Sequence, residues 1–139
     1  MYRKFYTNPS LWIDNNTRLK INNYSRDRVK NNHDYLCNNS CPSNLCKGQL
    51  MDEVRAKFMN TRVIYYGDGK DDFCPACHSI SGDIICIRKG FSLEKLIKEK
   101  QDSTNPVKGD IYYFDNFKDI EDMLKDRGII QTKNGSCCI

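Results

Sequence analysis

The chain has 139 residues, enough for one domain with its own core. Its 22 Lys and Arg stand against 18 Asp and Glu, a net charge of +4 with no basic stripe interleaved with aromatics, so nucleic-acid binding is not expected. No window of about 18 apolar residues occurs, residues 1–6 lack the apolar core of a secretion signal, and Ser136 stands where a prenylation box needs Cys, so neither a membrane nor an oxidising compartment is expected and the eight cysteines read as free thiols in the cytoplasm.

Residues 1–7 read as an apolar-aromatic strand ending at Asn8-Pro9. In the mixed stretch 11–24, Asn15-Asn16 suits a turn and 18–21 a strand. Residues 25–40 are polar and Asn-rich, with little to bury, and read as a mobile loop or insertion. A helix is expected over 44–59. Leu45, Leu50, Met51, Val54 and Phe58 approximate one apolar face, and Ser43 suits the N-cap. The run Val63-Ile64-Tyr65-Tyr66 predicts a strand over 62–66 buried on both faces, as in a parallel sheet. A second strand is expected over 83–87. Ser92 can cap a short helix to about residue 99 that buries Leu93, Leu96 and Ile97. Residues 100–109 read as a loop, 111–114 as a strand, and 117–127 as a helix stopped by Gly128. The tail from Gln131 reads as flexible. Strands alternating with helices predict an α/β layered sheet with flanking helices over residues 1–130.

The segment Tyr65-Tyr66-Gly67-Asp68-Gly69-Lys70-Asp71-Asp72 carries the most chemistry. Ligands of open α/β sheets sit outside the carboxyl ends of strands, and an acid on such a turn is a hard oxygen donor at that edge. Magnesium takes one or two carboxylates and completes its shell with water and phosphate oxygens. A solvated surface turn has the same Asp-Gly composition. Upstream, Cys41-Pro42-Ser43-Asn44-Leu45-Cys46-Lys47-Gly48 places Lys47 in the first turn of a helix. The helix dipole disfavours a cation there, so such a Lys is either an ordinary exposed residue or one held for an anion. Together, a Lys and a Gly-Asp-Gly acid on successive elements supply the cation and the metal that phosphoryl transfer requires.

These residues resemble the phosphoethanolamine/phosphocholine phosphatase group of the haloacid dehalogenase (HAD) superfamily, which includes pyridoxal-phosphate phosphatases. The likeness lies in Cys41 to Lys47, in Tyr65 to Asp72 followed by Phe73-Cys74-Pro75, in Thr7-Asn8-Pro9 and Leu19 to Tyr24, and in Arg88-Lys89-Gly90-Phe91. The resemblance implies a Rossmann-like fold and a magnesium-dependent phosphatase. It implies that Lys47 contacts the phosphoryl group and the nucleophile, that Asp68 binds Mg2+, and that Asp72 supports the metal site directly or through water. Asp71, where animal members often carry Asn, is a further candidate metal ligand. The implied substrates are small phosphomonoesters such as phosphocholine, phosphoethanolamine or pyridoxal 5′-phosphate, and no protein partner is implied.

The departures from the family are as informative. Its nucleophile sits in Asp-x-Asp-x-Thr after an apolar strand, and no Asp-x-Asp occurs in this sequence. The nearest imitation, Ile111 to Phe117 with Asp115, lacks the second Asp. The Ser/Thr phosphate motif and the helical cap are also missing. The expectation is therefore a C-terminal portion of such a core, a partial sheet lacking the nucleophile strand, marginally stable and inactive alone. Two rivals stand beside it. One is a structural zinc module drawing on Cys37, Cys41, Cys46, Cys74 and Cys77, with His33 nearby, although only Cys74 and Cys77 form a true CxxC. The other is a non-catalytic binding remnant.

Overall fold

The computed structural model describes residues 5–22, 45–101 and 107–131. Near the start, β1 (Ser10–Ile13) pairs antiparallel with β2 (Arg18–Ile21), Trp12 lying opposite Leu19. The turn between them takes Asp14, Asn15 and Asn16 through positive φ of 51°, 52° and 64°, a region that Asn and Asp tolerate better than other side chains. The expected Asn15-Asn16 turn and the strand at 18–21 are therefore present. Of the expected strand over 1–7, residues 1–4 lie outside the described residues, and residues 5–7 form no strand, with Phe5 exposed. The ladder begins at Ser10 instead, where the turn can return a partner.

The second half of the chain builds the sheet. Helix α1 (Lys47–Lys57) precedes β3 (Ile64–Gly67), and a 3-10 turn (Lys70–Asp72) leads into the short α2 (Phe73–Cys77). Then come β4 (Ile84–Arg88), α3 (Ser92–Gln101), β5 (Asp110–Phe114) and α4 (Phe117–Asp126). The three strands lie in the order β3-β4-β5, all parallel, with Tyr66 beside Cys86 and Arg88 beside Phe114.

Alternation along the strands sorts side chains between two layers. Ile85 and Ile87 face one side, where Ala76, Leu93, Ile97 and Val107 close the core. Ile84, Cys86 and Phe114 face the other, against Ile120 and Met123 of α4. Each fully buried aliphatic side chain here contributes about 1.5–3 kcal/mol over its exposed state. The layered α/β reading of the sequence is thus correct, and it describes a partial Rossmann-like fold.

Several local expectations change. The strand buried on both faces is β4, whose Ile84 to Ile87 are all buried; β3 is only half-buried, and its Tyr66 is 42% exposed. The reason is position, because among the described residues β3 pairs along one edge only. Helix α1 starts at Lys47 behind Cys46, which makes no side-chain cap, while Ser43 lies outside the described residues. Within α1, Leu50 and Met51 are buried but Phe58, just past its end, is exposed. Ser92 donates its hydroxyl to the Asp68 carbonyl (3.4 Å) rather than capping α3, and the Leu93 amide donates to the same carbonyl (2.9 Å). The loop at 25–40 and the tail beyond residue 131 lie outside the described residues.

Two clasps fix the layers. Asp83, 1% exposed, takes hydrogen bonds from Arg55 Nη2 (2.6 Å), the Val63 amide (3.0 Å) and the Ile80 amide (2.8 Å). It ties α1 and the start of β3 to the turn before β4. At the other end, Asn116 caps α4 through the Lys118 amide (2.8 Å), and Asp119 reaches back to the amides of Asp115 and Asn116. Gly128, at φ 65°, ends that helix as expected.

Candidate active site

The carboxyl end of β3 turns at Gly67, and four donors converge on the carboxylate of Asp72. Lys47 Nζ (2.6 Å) and the Tyr65 hydroxyl (2.7 Å) donate to Oδ1; the amides of Asp68 (3.0 Å) and Gly69 (2.9 Å) donate to Oδ2. Burial alone would raise the Asp72 carboxyl, but these donors outweigh it and hold it below the usual carboxylate range. At 4% exposure, it is a buried anion with every strong acceptor direction used.

Lys47 is shared. Its Nζ lies 2.6 Å from Asp71 Oδ2 as well as 2.6 Å from Asp72 Oδ1. Burial pulls the ammonium down, yet the two carboxylates prevail and its pKa is raised. The Lys therefore stays charged at neutral pH, in the first turn of α1, where the dipole alone would disfavour it. The Tyr65 hydroxyl is held protonated by burial and then by its bond to Asp72.

The glycines of the motif act by close approach. Neither Gly67 nor Gly69 has a positive φ. A Cβ on Gly67 would lie 2.6 Å from Asp72 Cβ and 2.9 Å from both Asp72 Cγ and Leu93 Cδ2. One on Gly69 would lie 2.6 Å from Asp71 Oδ1. The Asp72 side chain folds back over a bare backbone, which is why the strand end needs Gly at position 67, whereas a Cβ at Gly69 would meet only the movable end of exposed Asp71.

Asp68 is placed differently from its neighbours. Its carbonyl is fixed by Ser92 and Leu93, its amide by Asp72, and its carboxylate is exposed and takes no hydrogen bond among the described residues. Among the described residues, no group of three or more His, Cys, Asp and Glu is arranged to hold a metal. The donor chemistry nonetheless fits Mg2+, which needs only one or two carboxylates and fills the rest of its shell from water and phosphate. Asp68 is the carboxylate free to do this; Asp72 and Asp71 are occupied by Lys47. Of the zinc candidates, Cys37 and Cys41 lie outside the described residues, and Cys46, Cys74 and Cys77 form no disulfide among the described residues.

Lys47, Asp68 and Asp72 border an open cleft of about 430 Å³ that runs over the carboxyl ends of the strands. The Putative Phosphatase family matches residues 1–127. The chain belongs to this family, a HAD-type phosphatase family. It is 38% identical over 102 residues to a thiamine phosphate phosphatase-like protein of Arabidopsis thaliana, covering 70% of this chain and 40% of that one. It is 29% identical to a pyridoxal phosphate phosphatase of Homo sapiens, covering 86% of this chain and 48% of the relative. It is 32% identical to inorganic pyrophosphatase 2 of Arabidopsis thaliana, covering 90% and 43%. The chain thus spans less than half the length of these curated relatives. No solved structure matches it. Among the described residues, no helix is long and apolar enough to cross a membrane.

The structure brings Lys47, Asp71 and Asp72 into direct contact and sets Asp68 beside them. Sequence reading missed Tyr65, which looked like one more apolar strand residue; its place two residues before Gly67 was the available signal. It also missed the Arg55–Asp83 clasp, because a pair 28 positions apart leaves no local pattern.

Proposed function

We propose that this chain supplies the phosphate-binding and magnesium-binding half of a cytoplasmic phosphomonoester hydrolase. The observation that carries the reading is Lys47, kept charged by Asp71 and Asp72 beside the exposed carboxylate of Asp68, at the carboxyl edge of a parallel sheet. Lys47 would contact the phosphoryl oxygens and offset the charge that builds on them as the ester bond breaks. Asp72 orients that ammonium and, through the Asp68 and Gly69 amides, sets the backbone that presents Asp68. Asp68 would hold Mg2+, which when bound neutralises phosphate charge as a Lewis acid. Asp71 restrains Lys47 from the solvent side and would yield it to an incoming phosphate. The attacking carboxylate would come from a segment outside this sequence, in keeping with the share of the relatives' length that the chain spans.

The test is binding before turnover. NMR titration of the purified chain with Mg2+ and inorganic phosphate should move the Asp68 and Gly69 amides. Asp68→Asn should weaken the metal response at least tenfold, and Lys47→Ala should do the same to the phosphate response. The chain alone should release no phosphate from 4-nitrophenyl phosphate. Co-expression with the N-terminal half of a relative should restore release. Binding that ignores both substitutions would sink the assignment.

A further inference from the structure

Lys47 opens α1, yet Cys46 in front of it makes no side-chain cap and the first turn carries no acid. The far half of the helix is fastened by the Arg55–Asp83 clasp. The near half, which carries Lys47, is gripped by α2 instead. Gly48 is buried, and a Cβ there would lie 2.7 Å from Cys74 Sγ, 2.9 Å from His78 Cδ2 and 3.1 Å from His78 Nε2. One turn further along the same face, Asp52 Oδ2 lies 2.7 Å from His78 Nδ1. The imidazole thus spans a turn of α1, with one edge on Gly48 and Nδ1 on Asp52.

The ring stands on a fixed base. His78 closes α2, its amide donating to the carbonyls of Cys74 (3.2 Å) and Pro75 (3.1 Å). Next to it, Ser79 is buried, and its hydroxyl accepts from the amides of Lys108 (3.1 Å) and Gly109 (2.9 Å) on the approach to β5. Helix α2 itself follows directly on Asp72. His78 therefore joins the helix that carries Lys47 to the helix that follows the acid Lys47 reaches. An ion pair between exposed groups would be an ordinary surface bridge. Placement decides otherwise: the His78 side chain is only 22% exposed, and bare Gly48 lets α1 come up against it. A lysine stem is flexible, so the aim of its ammonium depends on where its backbone is held. His78 stands outside the lining of the cleft, so its effect on a bound anion passes through α1.

We propose that His78 is a positioning residue, which through Gly48 and Asp52 holds the first turn of α1 so that the Lys47 ammonium stays between Asp71 and Asp72 and meets the phosphoryl group there. The inference rests on the phosphate reading of Lys47 given above and adds the device that aims it. The two clasps on α1 divide the work: Arg55–Asp83 secures the layers, and His78–Asp52 secures the site.

The experiment titrates the purified chain, with Mg2+ present, with inorganic phosphate, and follows the Lys47 Cε–Hε signal by NMR beside the thermal midpoint. His78→Leu should weaken phosphate about three- to tenfold, the equivalent of one hydrogen bond loosened, and shift the Lys47 signal before phosphate is added. Its thermal midpoint should fall less than that of Arg55→Met, which should move the Lys47 signal less. His78→Asn, whose Nδ2 can take the place of the ring Nδ1 as donor to Asp52, should recover most of the affinity and the signal. Asp52→Ala removes the other half of the pair from a more exposed position and keeps the test open should His78→Leu fold poorly; it should give the same loss, and the double variant with His78→Asn no more than Asp52→Ala alone. If Lys47→Ala abolishes phosphate binding while His78→Leu and Asp52→Ala leave it and the Lys47 signal unchanged, the inference fails and the phosphate reading stands. It fails likewise if His78→Leu lowers affinity only in step with a midpoint as low as that of Arg55→Met, with no recovery in His78→Asn. If the unaltered chain binds no phosphate, or Lys47→Ala binds it as well, the phosphate reading fails and takes the inference with it.

Discussion

Asp72→Asn should be the most damaging near-isosteric change in this chain. The carboxylate accepts two bonds on each oxygen, from Lys47 and Tyr65 on one side and from two backbone amides on the other. An amide has one oxygen. Placed either way, its NH2 group faces two donors, so two bonds are lost and a donor-donor clash appears. Each bond to a charged group is worth about 1.5–3 kcal/mol, so with two bonds lost a cost of about 3–5 kcal/mol is expected. Asp71→Asn supplies the scale: Asp71 is exposed, and its bridge to Lys47 should be worth about 1 kcal/mol or less. Urea unfolding followed by circular dichroism gives both values. Hydrogen exchange at the Asp68 and Gly69 amides reads the same event locally, even in a variant too weak for a full unfolding curve. Equal effects of the two substitutions, with unchanged amide protection, would refute the account of Asp72 as the centre of the site.

Gly67→Ala should cost about 1–3 kcal/mol by overpacking, because its methyl would sit 2.6 Å from Asp72 Cβ; the urea midpoint should fall and the metal response should weaken with it. Arg55→Met should cost about 3 kcal/mol, since it strands the buried Asp83 carboxylate without its cation; a double cycle with Asp83→Asn should show strong coupling. Acid should destabilise the fold in a defined window. The carboxyls of Asp72 and Asp83 lie below their ordinary values in the folded state, so their contribution is complete above the unfolded pKa and disappears as pH falls through the folded one. The urea midpoint should therefore hold from pH 7 to about 5 and drop below about pH 4. A midpoint unchanged at pH 3 would contradict the burial and bonding described for both acids.

The sequence made the order of elements legible because most were encoded locally. The β-branched run at 84–87, the apolar spacing after Ser92 and Gly128 behind the last helix each state their structure within a few residues. Which strand is central was not local information. The runs at 63–66 and 84–87 look equally buried by composition, and only the pairing order decides that Ile84 to Ile87 are enclosed while Tyr66 is open. At the site the residue types were legible and their division of labour was not. Asp68, Asp71 and Asp72 read as three candidate ligands on one turn. The fold separates them through contacts with residues distant in sequence: Lys47, 25 positions before Asp72, takes two of the three acids, and Ser92 with Leu93, 24 and 25 positions after Asp68, pins the third. Gly67 makes room for the Asp72 side chain to fold back, a role visible only once Asp72 is seen against it. Asp68 is thus left exposed because its neighbours are bound elsewhere, and any loss of the Lys47–Asp72 contact should be felt at the metal-binding step before it is felt in the core.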